Sequence, residues 1–310
     1  MQGPWRKLGR VLEAAGDPLS RSHVMTPTPH VMADRVRVFY ASCDEDMRGR
    51  IFFADFAPEP PFSLIAVSPE PVLDLGPPGA FDGDGVTPTQ AFRHEGRLAL
   101  LYVGWRRGPA EAPYTLLGAL AMSGDEGCSF ERLAEPLLAP RPGARLFRTA
   151  PFVERIGERD GDGWRMLYIG GDAFTSGEDG RALPVYSLLE ARSDDLLDWS
   201  GPARVLMAPD VGGGELGFGR PLIHTLPNGA RRLMVSLRTR SGYALVEAAA
   251  DGDFSQRPTF TPVVPAPFEP WENQMTCFGA PCVVGENELL FYNGNGYGRT
   301  GMGLAWRPLG

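Results

Sequence analysis

Four carboxylates stand where acid–base chemistry is possible. Asp82 and Asp84 alternate with glycines in Phe81-Asp-Gly-Asp-Gly85, Glu215 follows Gly212-Gly-Gly214, and Glu272 follows Trp271. Two carboxylates flanking a glycosidic oxygen are what acid–base cleavage of a glycoside requires. Each also has a plainer reading. Asp82 and Asp84 could bond their own turn backbone, and Glu215 could be a solvated loop residue. Arg148 and Arg220 could hold the carboxylates by ion pairs or meet an acidic substrate. His23, beside an apolar strand, is either a packed imidazole or a substrate contact. Trp105 and Trp271 have polar neighbours, Arg106-Arg107 and Glu272-Asn273, and are candidates for stacking on a sugar. Gln274, Asn295 and Tyr297 complete the polar set. Arg145, Arg148, Arg220, Arg238 and Arg240 could instead bind a phosphate, since guanidinium forks match oxyanions.

These residues are far apart in the chain, so a repeating framework must bring them together. One strand recurs five times: RVRVFYAS (35–42), RLALLYVG (97–104), WRMLYIGG (164–171), RRLMVSLR (231–238) and ELLFYNGN (288–295). Each is rich in aromatic and branched residues and bounded by turn formers, which marks a strand. A Thr/Pro/Gly-rich strand precedes each copy, with Pro29, Gln90, Pro151, Pro221 and Pro281 aligned. A third strand follows each, including YTLLGALAMS, VYSLLEARS and YALVEAAADG. Outer strands begin near 5, 62, 130, 198 and 254.

The last repeat has no outer strand of its own. The segment at 5–12 matches the missing piece in position and pattern. The fold class expected is therefore all-β: one five-bladed β-propeller over residues 1–310, its ring closed by the N-terminal strand pairing into the last blade. In such a ring the first strands of the blades line a central channel. Counting six residues back from the aligned anchors puts His23, Asp84, Arg145, Glu215 and Met275 at its mouth.

Composition narrows the partners. A net charge of −8 argues against nucleic acid, and no apolar run approaches the roughly 20 residues of a membrane span. Four cysteines without CxxC spacing suggest reduced thiols, and residues 1–13 lack a secretory core, so a cytoplasmic protein is expected. Gly294-Asn-Gly-Tyr-Gly298 ends a strand and opens no helix, so it is no dinucleotide cradle. No cofactor and no metal is expected. Nothing in the sequence sets the oligomeric state.

Leu75-Gly-Pro-Pro-Gly-Ala-Phe-Asp-Gly-Asp-Gly-Val86, followed by a strand ending Tyr102-Val-Gly-Trp105, resembles the second blade of the five-bladed glycoside hydrolase superfamily. That superfamily holds arabinofuranosidases, xylosidases, invertases, levansucrases and mannoside phosphorylases. Phe147-Arg-Thr-Ala-Pro151, Gly219-Arg-Pro221, Trp271-Glu-Asn-Gln-Met-Thr276 and Tyr292-Asn-Gly-Asn-Gly-Tyr-Gly298 resemble a glycosidase-like branch of it. The resemblance implies a first-blade Asp as base or nucleophile, a second-blade Asp as transition-state stabiliser and a later-blade Glu as acid. Asp84 or Asp82 matches the second role and Glu215 the third. The first role has no match, because Ser22-His-Val-Met-Thr-Pro-Thr-Pro29 carries His23 and no carboxylate. Trp271-Glu-Asn-Gln-Met resembles a Trp-Asp-Ser-Glu-Met pattern, with Glu272 for the Asp and Gln274 for the Glu. An amide exchanges no proton. The function expected is a glycosidase-like enzyme acting on a glycoside or related polyhydroxylated small molecule, a free carbohydrate or a glycosylated metabolite. Phosphorolysis or another sugar transfer, and carbohydrate binding without catalysis, are the alternatives.

Overall fold

The computed structural model describes residues 3–157, 163–177, 180 and 182–309. Its strands pair into five antiparallel groups. The first holds β2 (Ser22–Val31), β3 (Val36–Cys43), β4 (Gly49–Phe56) and β5 (Leu64–Val67). The second holds β6 (Gly85–His94), β7 (Arg97–Arg107), β8 (Tyr114–Ser123) and β9 (Glu131–Arg132). The third holds β10 (Phe147–Arg155), β11 (Trp164–Ser176), β12 (Ala182–Ser193) and β13 (Ala203–Met207). The fourth holds β14 (Glu215–Thr225), β15 (Arg231–Thr239), β16 (Tyr243–Ala249) and β17 (Thr261–Pro262). The last holds β18 (Cys277–Val284), β19 (Asn287–Asn293) and β20 (Met302–Pro308), with β1 (Arg6–Leu12) antiparallel to β20 as its outer strand.

The second strands lack polar alternation because neighbouring groups cover both their faces. Every residue of β3 is buried, and so are Leu98–Gly104 of β7. Tyr102, Tyr168 and Tyr292 are among the largest fully enclosed side chains. Each such burial contributes about 2 kcal/mol.

First strands pack beside one another in the cyclic order β2, β6, β10, β14, β18 and back to β2. Each bulges at one height. The ladder register shifts at Thr26-Pro27, Thr89, Ala150-Pro151, Arg220-Pro221 and Phe278-Gly279. Thr26, Ala150, Arg220 and Phe278 take positive φ there. Proline donates nothing to a ladder and is tolerated at a bulge. The bulge corrects the alignment made from sequence. Pro27, Thr89 and Gly279, not Pro29, Gln90 and Pro281, correspond to Pro151 and Pro221. Counting six residues back from these anchors gives Arg21, Gly83 and Asn273 in place of His23, Asp84 and Met275, and the residue of the last group that corresponds to Asp84 is Gln274.

The bulges also free backbone acceptors, and Arg220 takes them up. From β14 it donates to Thr28 Oγ1 of β2 (2.8 Å), Thr89 O of β6 (3.2 Å) and Phe278 O of β18 (2.6 Å). Thr89 Oγ1 donates in turn to Pro151 O of β10 at 2.8 Å. All five first strands are thus bonded to one another at this level.

Candidate functional site

Register places the start of each first strand opposite the end of its second. Ser22 faces Cys43, Gly85 faces Trp105, Phe147 faces Gly171, Glu215 faces Thr239 and Cys277 faces Asn293. The turns from second to third strand lie at this same end. Two third strands begin there with a tyrosine, Tyr114 of β8 and Tyr243 of β16, and Tyr186 stands four residues into β12.

The tyrosines belong to a continuous run of rings. Trp105 lies 4.9 Å from Tyr114, Tyr114 5.3 Å from Phe174, Phe174 5.2 Å from Phe147 and Phe147 5.8 Å from Tyr186. The Tyr186 hydroxyl bonds that of Tyr243, whose ring stands 5.8 Å from Tyr297. Trp105 and Tyr297, at the two ends of the run, remain 38% and 36% exposed. Tyr297 is held outward by a left-handed backbone (φ 63°) between two glycines.

Arg238 lies under this run. Its Nη1 donates to Tyr243 Oη at 2.9 Å and to Tyr186 Oη at 3.4 Å. Burial works against its charge, but the oxygens of Tyr243 and Tyr186 outweigh that and hold its pKa above the ordinary value. Burial, then Tyr186, pushes the Tyr243 phenol well up. Both groups therefore keep their protons at neutral pH. Nearby, burial and then Arg299 lower the pKa of His23, which bonds Ser22 Oγ at 2.9 Å.

The four carboxylates do not gather as free acids. Asp82 is buried, and its Oδ2 accepts from Tyr102 (2.9 Å) and from Arg132 of β9 (3.0 Å). Gly76 and Gly104 make room for it, since a Cβ at either would fall within 2.7 Å of its side chain. Glu272 has the same arrangement in the last group. Its Oε2 accepts from Tyr292 (2.7 Å) and its Oε1 from Lys7 of β1 (2.5 Å). Both carboxylates fasten a loop to an outer strand. Both oxygens of Glu215 accept from Arg257 Nη2, at 2.6 and 2.7 Å, and Oε2 also accepts from Asp210 N. Asp84 differs: it is half-buried, and its Oδ2 accepts from the Arg107 backbone while Oδ1 has no partner among the described residues.

Other candidates are placed as follows. Of the two roles expected of Arg148 and Arg220, holding carboxylates or meeting an acidic substrate, the first is corrected: Arg148 donates to Ala139 O and Trp199 O, and Arg220 to the bulge acceptors. Trp271 is buried, tilted 5.6 Å from Tyr292, and packs instead of offering a face. Gln274 is exposed, and Asn295 Oδ1 accepts from the backbone of Gln274 and Met275. Asn295 therefore shapes the turn that carries Tyr297. The sequence reading missed Tyr114, Tyr186 and Tyr243, although the three aligned third strands display them.

A cleft of about 820 Å³ opens at the other end of the strands beside Glu154, Arg165, Glu190 and Arg231. Its two glutamates are already held by arginines, through Arg165–Glu154, Arg165–Glu190 and Arg231–Glu154 pairs. It offers no ring face, so the aromatic mouth is the better candidate.

No family model matches the chain. It is 28% identical over 309 residues to "Uncharacterized protein MT1551" and to "Uncharacterized protein Rv1502", both of Mycobacterium tuberculosis, covering 97% of this chain and 98% of each relative. Among solved structures it is similar to a "Glycoside hydrolase", with TM-score 0.71, 16% identity, and 98% of this chain and 92% of that one covered. A glycosyl hydrolase from Bacteroides ovatus matches with TM-score 0.66, 14% identity, and coverage of 99% and 94%. A GH43_1 enzyme from Xanthomonas citri matches with TM-score 0.62, 16% identity, and coverage of 96% and 90%. At these identities the likeness is one of architecture: the chain has the all-β fold of glycoside hydrolases that include family 43.

Proposed function

We propose that the chain is a five-bladed β-propeller, completed by β1 in the last blade, that handles a glycoside or related polyhydroxylated small molecule at its aromatic mouth. The cyclic packing order of the first strands supports the blade count. One observation carries the functional reading: ring faces from Trp105 to Tyr297 surround a buried arginine at the end where the first strands begin. Aromatic faces with a few fixed polar groups suit sugar rings. The fold is shared with glycoside hydrolases, and the Xanthomonas citri enzyme is known in complexes with xylose and xylotriose. Four unpaired thiols, three of them buried, fit a reducing, cytoplasmic setting.

In this reading Asp84 is the carboxylate that would stabilise positive charge at the anomeric carbon, because one of its oxygens is uncommitted. Glu215 would donate the proton only after Arg257 released it. That bidentate hold favours a second reading, carbohydrate binding without hydrolysis.

The test is a panel of 4-nitrophenyl glycosides and oligosaccharides assayed for both cleavage and binding. Cleavage that falls at least a hundredfold in Asp84→Asn and Glu215→Gln, with binding kept, supports the enzyme. Tight binding without cleavage, indifferent to Glu215→Gln, selects the binding protein. Neither binding nor cleavage of any sugar would sink both.

A further inference from the structure

Although the chain is net acidic, its buried charge is not balanced pair by pair. Among the described residues every buried carboxylate has a cationic partner: Asp44 with Arg50, Asp55 with Arg37, Asp82 with Arg132, Glu190 with Arg204, Glu272 with Lys7 and Glu288 with Arg307. Three buried guanidinium groups, on Arg148, Arg220 and Arg238, have no carboxylate partner among those residues. Arg148 and Arg220 have both Nη groups met, by backbone carbonyls and, for Arg220, by Thr28 Oγ1 as well, while the Nε of each is sealed without a partner, as it is in Arg238.

Arg238 is met only by phenols. Its Nη1 reaches Tyr243 and Tyr186, its Nε is sealed from solvent without a partner, and its Nη2 has no partner among the described residues yet is not sealed. The phenol oxygens offset the burial of this guanidinium, which is only 8% exposed, but they meet only Nη1, and Nη2 is left as a donor without an acceptor among the described residues. The guanidinium lies 5.1 Å from the Tyr243 ring centre, within the run of rings suited to a sugar. An anion arriving there would meet a charged, planar donor already held in place and would displace little water.

We propose that Arg238, oriented by Tyr186 and Tyr243, is the recognition point for an anionic group carried by the sugar, a carboxylate or a phosphate, so that the ligands of this mouth are acidic glycosides. This rests on the mouth being the sugar site. Arg238 acts here through binding and is assigned no proton transfer.

Calorimetric titration of the full chain with D-glucuronate, its methyl ester, D-glucose and glucose 6-phosphate tests it, with inorganic phosphate as a control. The acidic sugars should bind at least tenfold more tightly than glucose and the ester. Arg238→Gln, with its fold checked by circular dichroism and thermal unfolding, should weaken binding of the acidic sugars at least tenfold more than binding of glucose, so that the preference is lost. Arg238→Lys, which keeps the charge without the planar fork, should restore part of it. A preference for glucuronate over glucose 6-phosphate, or the reverse, names the anion. Equal affinity for charged and neutral sugars overturns the anion site but leaves the sugar mouth standing. Binding of inorganic phosphate as tight as that of the acidic sugars overturns the assignment of the anion to the sugar. No binding of any sugar overturns both readings.

Discussion

Asp82 and Glu272 are equivalent residues: each lies twenty positions before the tyrosine whose hydroxyl it accepts, Tyr102 at 2.9 Å and Tyr292 at 2.7 Å. Each also accepts from a cation on an outer strand, Arg132 or Lys7. One acidic position thus serves two groups as a fastener between loop, second strand and outer strand. Asp82→Ala and Glu272→Ala should each cost about 3 kcal/mol, because a buried tyrosine and a cation lose their acceptor together. Urea unfolding midpoints measure this, and sugar affinity at temperatures where the variants stay folded should not change. Unchanged stability with abolished binding would return both carboxylates to the site.

Arg220 ties the first strands together. Burial pulls its pKa down to about 9, so it remains charged at neutral pH. Replacing it by Met keeps the volume but strands the acceptors of Thr89 and Phe278. Arg220→Met should lower stability by about 2–4 kcal/mol. Amide hydrogen exchange should rise first in the strand segments around Thr28, Thr89 and Phe278. Uniform protection in the variant would show that the bridge contributes nothing.

Trp105 and Tyr297 stand at opposite ends of the ring run and are partly exposed, so trimming them barely disturbs the core. Trp105→Ala and Tyr297→Ala should each weaken binding of any sugar at the mouth by roughly three- to tenfold, with melting temperature almost unchanged. Because they supply faces and not charge, the loss should be the same for acidic and neutral sugars. A loss restricted to one of these two classes would contradict that role.

His23 gives a pH signature. Its pKa is lowered, first by burial and then by Arg299, below the ordinary 6.5. As pH falls through 6.5 the unfolded chain takes up the proton before the folded one, so stability drops with acidification below that point. His23→Asn suits the positive φ at this position. Its stability should fall less between pH 7 and 5 than that of the wild type. Parallel curves for the two proteins would mean that His23 does not contribute to the slope.

What the sequence determined by itself was whatever is written in short, local patterns. The five apolar second strands announce themselves because a strand buried on both faces needs no distant partner to be recognised. The likeness of residues 5–12 to an outer strand anticipated the pairing of β1 with β20 for the same reason. The tertiary structure alone decided the chemistry, because charged side chains find partners far along the chain. Asp82 meets Arg132 fifty residues on, Glu215 meets Arg257 after 42, and Lys7 returns to Glu272 across 265. Those pairings commit three of the four candidate carboxylates, Asp82, Glu215 and Glu272, to cations. They leave Asp84, with one oxygen free among the described residues, and Arg238, with no carboxylate partner among them, at the mouth.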